Sequence, residues 1–99
     1  MKPTRTTPDA IRHDAAGRRF HVQLEGHVAE LTYRMAGTDT MLIDHTGVPE
    51  AIGGRGIAGQ LVAAAFEHAA AQDWKVIPAC SYAAAWVDRH PEHAGRVQA

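Results

Sequence analysis

Only one cysteine, Cys80, occurs in this chain of 99 residues, so no disulfide framework within the chain holds it together. That scarcity suits a reducing compartment. Long apolar runs are missing too: none approaches the roughly 20 residues that a membrane span needs. The opening stretch MKPTRTTPDAIRHD lacks the apolar centre of a secretory leader. Charge of one sign is also lacking. Ten Lys and Arg stand against eleven Asp and Glu, and the net charge of −1 offers no general attraction for nucleic acid or an anionic membrane. Arg18, Arg19 and Arg89 are scattered, which leaves no basic footprint. The seven histidines form no HxxxH or HExxH pair, and one cysteine makes no zinc cluster, so no metal site is expected. There is no internal repeat and no low-complexity segment. What remains is a chain with 45% apolar and 21% charged residues, ordinary for one globular core. We expect a cytoplasmic monomer with no nucleic-acid or membrane partner.

Two prolines and three threonines with little apolar content mark residues 1–10 as a frayed tail. The tail runs to about residue 12, with a single domain over 13–99. After a turn at Ala16-Gly17, RRFHVQLEG alternates as a strand with Phe20, Val22 and Leu24 on one face. Glu25-Gly26 turns the chain into HVAELTYRMAG, whose apolar members are Val28, Leu31, Tyr33 and Met35. Its alternation is imperfect, which leaves a bulge or a helix open. After Gly37-Thr38-Asp39, a third strand covers Thr40 to Val48, and the three make an antiparallel meander. The period then changes. Ile57, Leu61, Val62, Ala65, Phe66 and Ala69 form a helical stripe ending near Gln72. A short strand, Lys75 to Ala79, precedes a second helix, SYAAAWVDRH, which Pro91 stops. The order β-β-β-α-β-α gives an α+β domain, with a parallel crossover from the third strand to the fourth.

Between meander and helix lies PEAIGGRGIAGQLVAAAF, with Gly53, Gly54, Gly56 and Gly59 at the mouth of the helix. A helix N-terminus presents unpaired N–H groups and a positive dipole end, and glycines let an anion come close. The pattern suits a phosphate or pyrophosphate, with Arg55 able to add a bidentate contact or a charge at the rim. Gly54 to Gly59 also spell GxGxxG, but the dinucleotide fingerprint requires an acid about 20 residues on. Val76 to Cys80 supply none. A P-loop fails as well, because Ala58-Gly59-Gln60 lacks its Gly-Lys-Ser/Thr. A sharp glycine turn without any ligand is the remaining alternative.

Two stretches, HTGVPEAIGGRGIAGQLV and CSYAAAWVDRHPEH, resemble the HTxVP…GRGIA…L and C…HPE signatures of a small group within the GNAT superfamily of N-acetyltransferases. The resemblance runs from about Arg18 to Val97 and is to the minimal, roughly 100-residue form without the usual N-terminal helices. It implies a truncated GNAT fold, acetyl-CoA as cofactor, and an amine as acceptor. The superfamily motif Q/R-x-x-G-x-G/A falls on Gly53 to Ala58: Gly56 and Ala58 match, and Gly53 replaces the leading Gln or Arg. The resemblance implies cofactor contacts from Val48, Gly54, Arg55, Gly56, Ile57, Ala58, Gly59 and Gln60, mainly through backbone N–H groups. It also implies a splay between the third and fourth strands that takes the pantetheine, with Val48 near the end of the former.

Acetyl transfer to an amine needs a neutral nucleophile, oxyanion stabilisation and often a proton for the leaving thiolate. Cys80, just past the fourth strand, is a candidate acyl-accepting nucleophile or proton donor, or else a small buried hydrophobe. Tyr82 is a second candidate acid or a core aromatic. His45 is a candidate proton relay or a structural strand residue. His90 ends the last helix, where a cation is stabilising without any catalysis, and Glu50 is a candidate base beside the glycine loop or an exposed carboxylate. The expected activity is transfer of acetyl to a protein lysine or N-terminus, a polyamine or a small amine. The alternative is a noncatalytic acyl-CoA-binding or regulatory module of the same fold.

Overall fold

A computed structural model describes residues 11–98. Five strands form one sheet in chain order: β1 (Arg12–Asp14), β2 (Arg19–Leu24), β3 (His27–Met35), β4 (Thr40–Gly47) and β5 (Lys75–Pro78). The first four are antiparallel, and β5 runs parallel to β4. Helix α1 (Ile57–Gln72) makes the crossover, and α2 (Ser81–Arg89) follows β5. Short 3₁₀ turns cover Glu50–Ile52 and Pro91–Arg96. The hairpin between β2 and β3 has two residues, Glu25 and Gly26, at φ 55° and 80°. That left-handed pair matches the twist of the flanking strands, which favours this tight connection.

The stripe read from sequence is the buried face of α1: Ile57, Leu61, Val62, Ala65, Phe66 and Ala69. It closes on Phe20, Val22, Ala29, Leu31, Tyr33, Met41, Ile43 and Val76, one residue in two along the strands. Helix α2 lies beside α1 on the same face, with the Phe66 and Trp86 rings 5.3 Å apart. The described elements leave the other face of the sheet open. Polar cross-strand pairs occupy it: Arg19 to Glu30 at 2.8 Å, Thr32 to Asp44 at 2.6 Å and Arg34 to Asp44 at 3.5 Å. No helix among the described residues is long and apolar enough to cross a membrane.

Several expectations need correction. Val28 is 49% exposed, and its neighbour Ala29 points into the core instead. Strand β4 ends at Gly47, so Val48 lies just beyond it, and β5 ends at Pro78 rather than Ala79. The imperfect alternation in β3 resolves as a strand with a register shift against β4. Tyr33 opposes Ile43 and Thr32 opposes His45, so Asp44 is the extra residue. Arg12, read as tail, is a residue of β1, while residues 1–10 of that tail lie outside the described residues.

Candidate active site

Two buried anchors fix the glycine loop. Ile52 (0% exposed) holds its start and Ile57 (1%) holds the first helical residue. Between them Gly54 and Gly56 both take φ 76°, where side-chain-bearing residues are disfavoured. A Cβ at either would meet nothing within 4 Å, so backbone conformation alone requires glycine there. Gly56 is the N-cap of α1, and no side chain caps the helix. Among the described residues, the N–H groups of Gly54, Arg55, Gly56, Ile57, Ala58 and Gly59 have no protein acceptor. Gln60 differs from expectation: its N–H donates to Gly56 O at 3.1 Å, because the fourth residue of a helix is the first to find an i−4 carbonyl.

The side chain of Arg55 is committed elsewhere. Its guanidinium donates to both carboxylate oxygens of Glu25, at 2.6 and 3.2 Å. That bond holds the Glu25 carboxyl below its ordinary pKa and raises that of Arg55. The pair ties the loop to the β2–β3 hairpin tip and compensates the arginine charge. Attraction for an anion at this loop therefore comes from N–H groups and the helix dipole.

Strands β4 and β5 stay paired from Thr40 and Lys75 to Ile43 and Pro78. The N–H groups of Ala79 and Cys80 then both converge on Ile43 O, at 2.9 and 3.0 Å. Beyond that point β4 continues alone to Gly47 while the chain turns into α2, so the strands part at Cys80. Cys80 is half-buried and is the N-cap of α2, its Sγ accepting from Ala83 N–H at 3.4 Å. Thr46 Oγ1 shares a second contact with Sγ at 3.6 Å.

The extra residue Asp44 decides which β4 side chains face Cys80. Cross-strand partners share a face of the sheet. Thr46 opposes buried Leu31 and so turns toward the helices, whereas His45 opposes Thr32 on the open face. His45 and Cys80 are therefore on opposite sides of the sheet. His45 lines an open groove of about 480 Å³ with Val28, Glu30, Gly47, Val48 and Pro49. A Cβ on Gly47 would stand 2.8 Å from His45 Nε2, so the imidazole lies directly over that glycine.

Tyr82 is half-buried, and its hydroxyl reaches the first turn of α1 beside Gly59. Half-buried Val48 packs against the core and also lines the His45 groove. Ala58 is half-buried on the first turn. His90 has a structural position: Nδ1 shares a 2.8 Å hydrogen bond with Trp86 O, and its ring stacks on Trp86 at 4.1 Å. Glu50 is exposed on the 3₁₀ turn. Sequence reasoning missed Thr46 and Glu25. The first depends on the bulge and the second on a contact 30 residues away. Among the described residues, no three His, Cys, Asp or Glu side chains gather as a metal site.

Residues 19–96 match the protein family described as GCN5-related N-acetyl-transferase. Protein NATD1 of Xenopus tropicalis is 37% identical over 83 residues, covering 82% of this chain and 76% of that protein. Protein NATD1 of Homo sapiens is 36% identical over 86 residues, covering 85% and 76%. The solution structure of a GCN5-like candidate N-acetyltransferase from Staphylococcus aureus superposes with a TM-score of 0.72 at 30% identity, over 90% of this chain and 87% of that one.

Proposed function

This chain belongs to the GCN5-related N-acetyltransferase family, and from that premise we propose that it binds acetyl-CoA and transfers acetyl to an amine. One observation carries the reading: the N–H groups from Gly54 to Gly59 are unpaired, β4 and β5 part at Cys80, and the Tyr82 hydroxyl two residues further on reaches Gly59. The residues fit the coenzyme. A row of donors at a positive helix end suits a diphosphate, and the uncovered flank of β4 past Ile43 suits an extended pantetheine arm. Acetyl-CoA, when bound, supplies an acetyl group activated as a thioester. The loop amides hold and orient the diphosphate without help from Arg55, whose guanidinium secures the loop to Glu25. Cys80 Sγ, held by Ala83 N–H and Thr46 Oγ1, would either give its proton to the departing thiolate or accept the acetyl group and pass it to the amine. Tyr82 Oη, beside Gly59 on the first turn of α1, stands with the loop amides.

A second reading, a coenzyme-binding module without turnover, draws support from His45, which faces the groove opposite Cys80. Calorimetric titration with acetyl-CoA, followed by thiol-release assays over a lysine peptide, a free N-terminal peptide and a polyamine, separates the two. Transfer predicts binding, thiol release with at least one amine, and a large loss of turnover in Cys80→Ala at retained affinity. Binding with no release from any amine favours the module. Absence of binding defeats both.

A further inference from the structure

We infer that the indole N–H of Trp86 and the hydroxyl of Tyr82 form a donor pair over the first turn of α1 and receive an acceptor oxygen of the bound coenzyme. This rests on the coenzyme reading above and adds two residues of α2 to that site. Trp86 is 4% exposed, yet its Nε1 makes no hydrogen bond within the described residues. Among the described residues no sealed side-chain nitrogen or oxygen is left without a partner, so this N–H keeps a small contact with solvent. Its direction is fixed by Gly59. A Cβ built there would stand 3.3 Å from Tyr82 Oη and 3.4 Å from Trp86 Nε1. Both polar atoms thus converge on one spot beside the third residue of α1, where Gly59 leaves room.

Donors predominate at that spot. Indole N–H only donates, the N–H of Gly59 is itself without an acceptor, and the Tyr82 hydroxyl can donate beside them. The Cα–Cβ direction in a helix tilts toward its N-terminus, so the converging donors lie on the side of the turn where the dipole is positive. Donors at a positive helix end call for an electron-rich oxygen. In coenzyme A that oxygen belongs either to the diphosphate or to an amide carbonyl of the pantetheine arm. Glycine at position 59 then has two consequences from one cause: it lets α2 approach α1, and it keeps both donors uncovered.

The test uses the full chain labelled with ¹⁵N and follows its two indole signals, Trp86 beside Gly59 and Trp74 beyond the far end of α1 as internal control. Coenzyme A, inorganic pyrophosphate and pantetheine are titrated separately. The inference predicts that coenzyme A shifts the Trp86 indole together with the Gly54 to Gly59 amides, while Trp74 stays. A shift with pyrophosphate alone assigns the oxygen to the diphosphate, and a shift with pantetheine alone assigns it to the arm. If the loop amides respond and the Trp86 indole does not, the inference fails while the coenzyme reading stands. If neither responds to coenzyme A, both fail.

Two variants sharpen the result. Trp86→Phe keeps a ring but removes the donor, and we expect coenzyme A affinity to fall about five- to tenfold. Gly59→Ala places a methyl 3.3 Å from Tyr82 Oη and 3.4 Å from Trp86 Nε1. We expect weaker coenzyme A binding in a protein whose ¹⁵N spectrum remains that of a folded chain. Wild-type affinity in a folded Gly59→Ala protein would overturn the inference.

Discussion

At its C-terminal end α1 closes with Asp73 and Trp74 N–H groups donating to Ala70 O and Ala69 O, and Arg96 donates to Trp74 O at 2.8 Å. At its N-terminal end the same helix starts on a glycine with no side-chain cap and leaves the N–H groups from Gly54 to Gly59 without a protein acceptor. Side chains follow the same division. Near the C-terminal half, His13 stacks on Phe20 with ring centroids 4.2 Å apart, shares a 2.6 Å hydrogen bond with the Tyr33 hydroxyl, and takes His68 against its edge at 4.3 Å. Trp74 closes that cluster against His68 at 5.3 Å. Near the first turn, Tyr82 Oη and Trp86 Nε1 point at an empty Cβ position. Polar groups satisfied within the chain contribute to stability, whereas donors held in place but unpaired are available to a ligand. One end holds the fold, and the other keeps its donors unpaired.

Ile52→Ala should break this contrast most strongly, because its side chain is fully buried and anchors the glycine loop. Denaturant unfolding should register a loss of about 2–5 kcal/mol, with coenzyme A affinity falling as well. A loss well under 1 kcal/mol would mean the loop is not anchored there. Gly56→Ala comes next. Its left-handed conformation costs a side-chain-bearing residue about 1–2 kcal/mol, and we expect coenzyme affinity to drop at least about tenfold as the loop relaxes. Unchanged affinity would detach binding from loop geometry. Tyr33→Phe probes the opposite end. Losing the bond to His13 should cost about 1 kcal/mol, while coenzyme titration should match wild type. Weakened binding would show that the two ends are coupled.

The smallest effect expected is with pH. Burial lowers the pKa of His13, the charge of His68 lowers it further, and Asp14 opposes both; burial raises the pKa of Tyr33 beside it, with Arg18 opposing and Asp14 adding. In the unfolded chain His13 takes a proton near pH 6.5, earlier than in the folded protein. The unfolded state therefore binds more protons as pH falls below that value, and stability declines until folded His13 is protonated too. Thermal melts from pH 7.5 to 5.5 should fall less steeply in His13→Phe than in wild type. Equal slopes would remove His13 as the cause.

The glycine-loop end was the more legible of the two, for a physical reason. Glycine conformations and the free N–H groups of a helix start are local properties, so Gly54, Gly56 and the Ile57–Gln72 stripe could be read directly. The change of period at Ile57 and the Pro91 stop were local as well. Whatever depends on register or distance was hidden. One extra residue, Asp44, reverses which β4 side chains face the helices, and so separates His45 from Cys80 and substitutes Thr46. Glu25 takes the Arg55 guanidinium across 30 residues of chain, which no spacing rule anticipates. Strand β1 escaped notice because it is three residues long and its inward side chain is a histidine rather than an aliphatic. The exchange of Val28 for Ala29 on the inner face of β3 had the same source, since either residue satisfies a loose alternation.

Amide hydrogen exchange of the full chain, with and without saturating acetyl-CoA, addresses the central claim most directly. In the free protein the N–H groups from Gly54 to Gly59 should exchange rapidly, although buried Ile52 and Ile57 flank them, while those of Asp73 and Trp74 exchange slowly. Acetyl-CoA should slow the first set and leave the second unchanged. Loop amides that exchange equally fast with bound coenzyme, or protection that appears instead around Val28 and His45 on the open face, would contradict it.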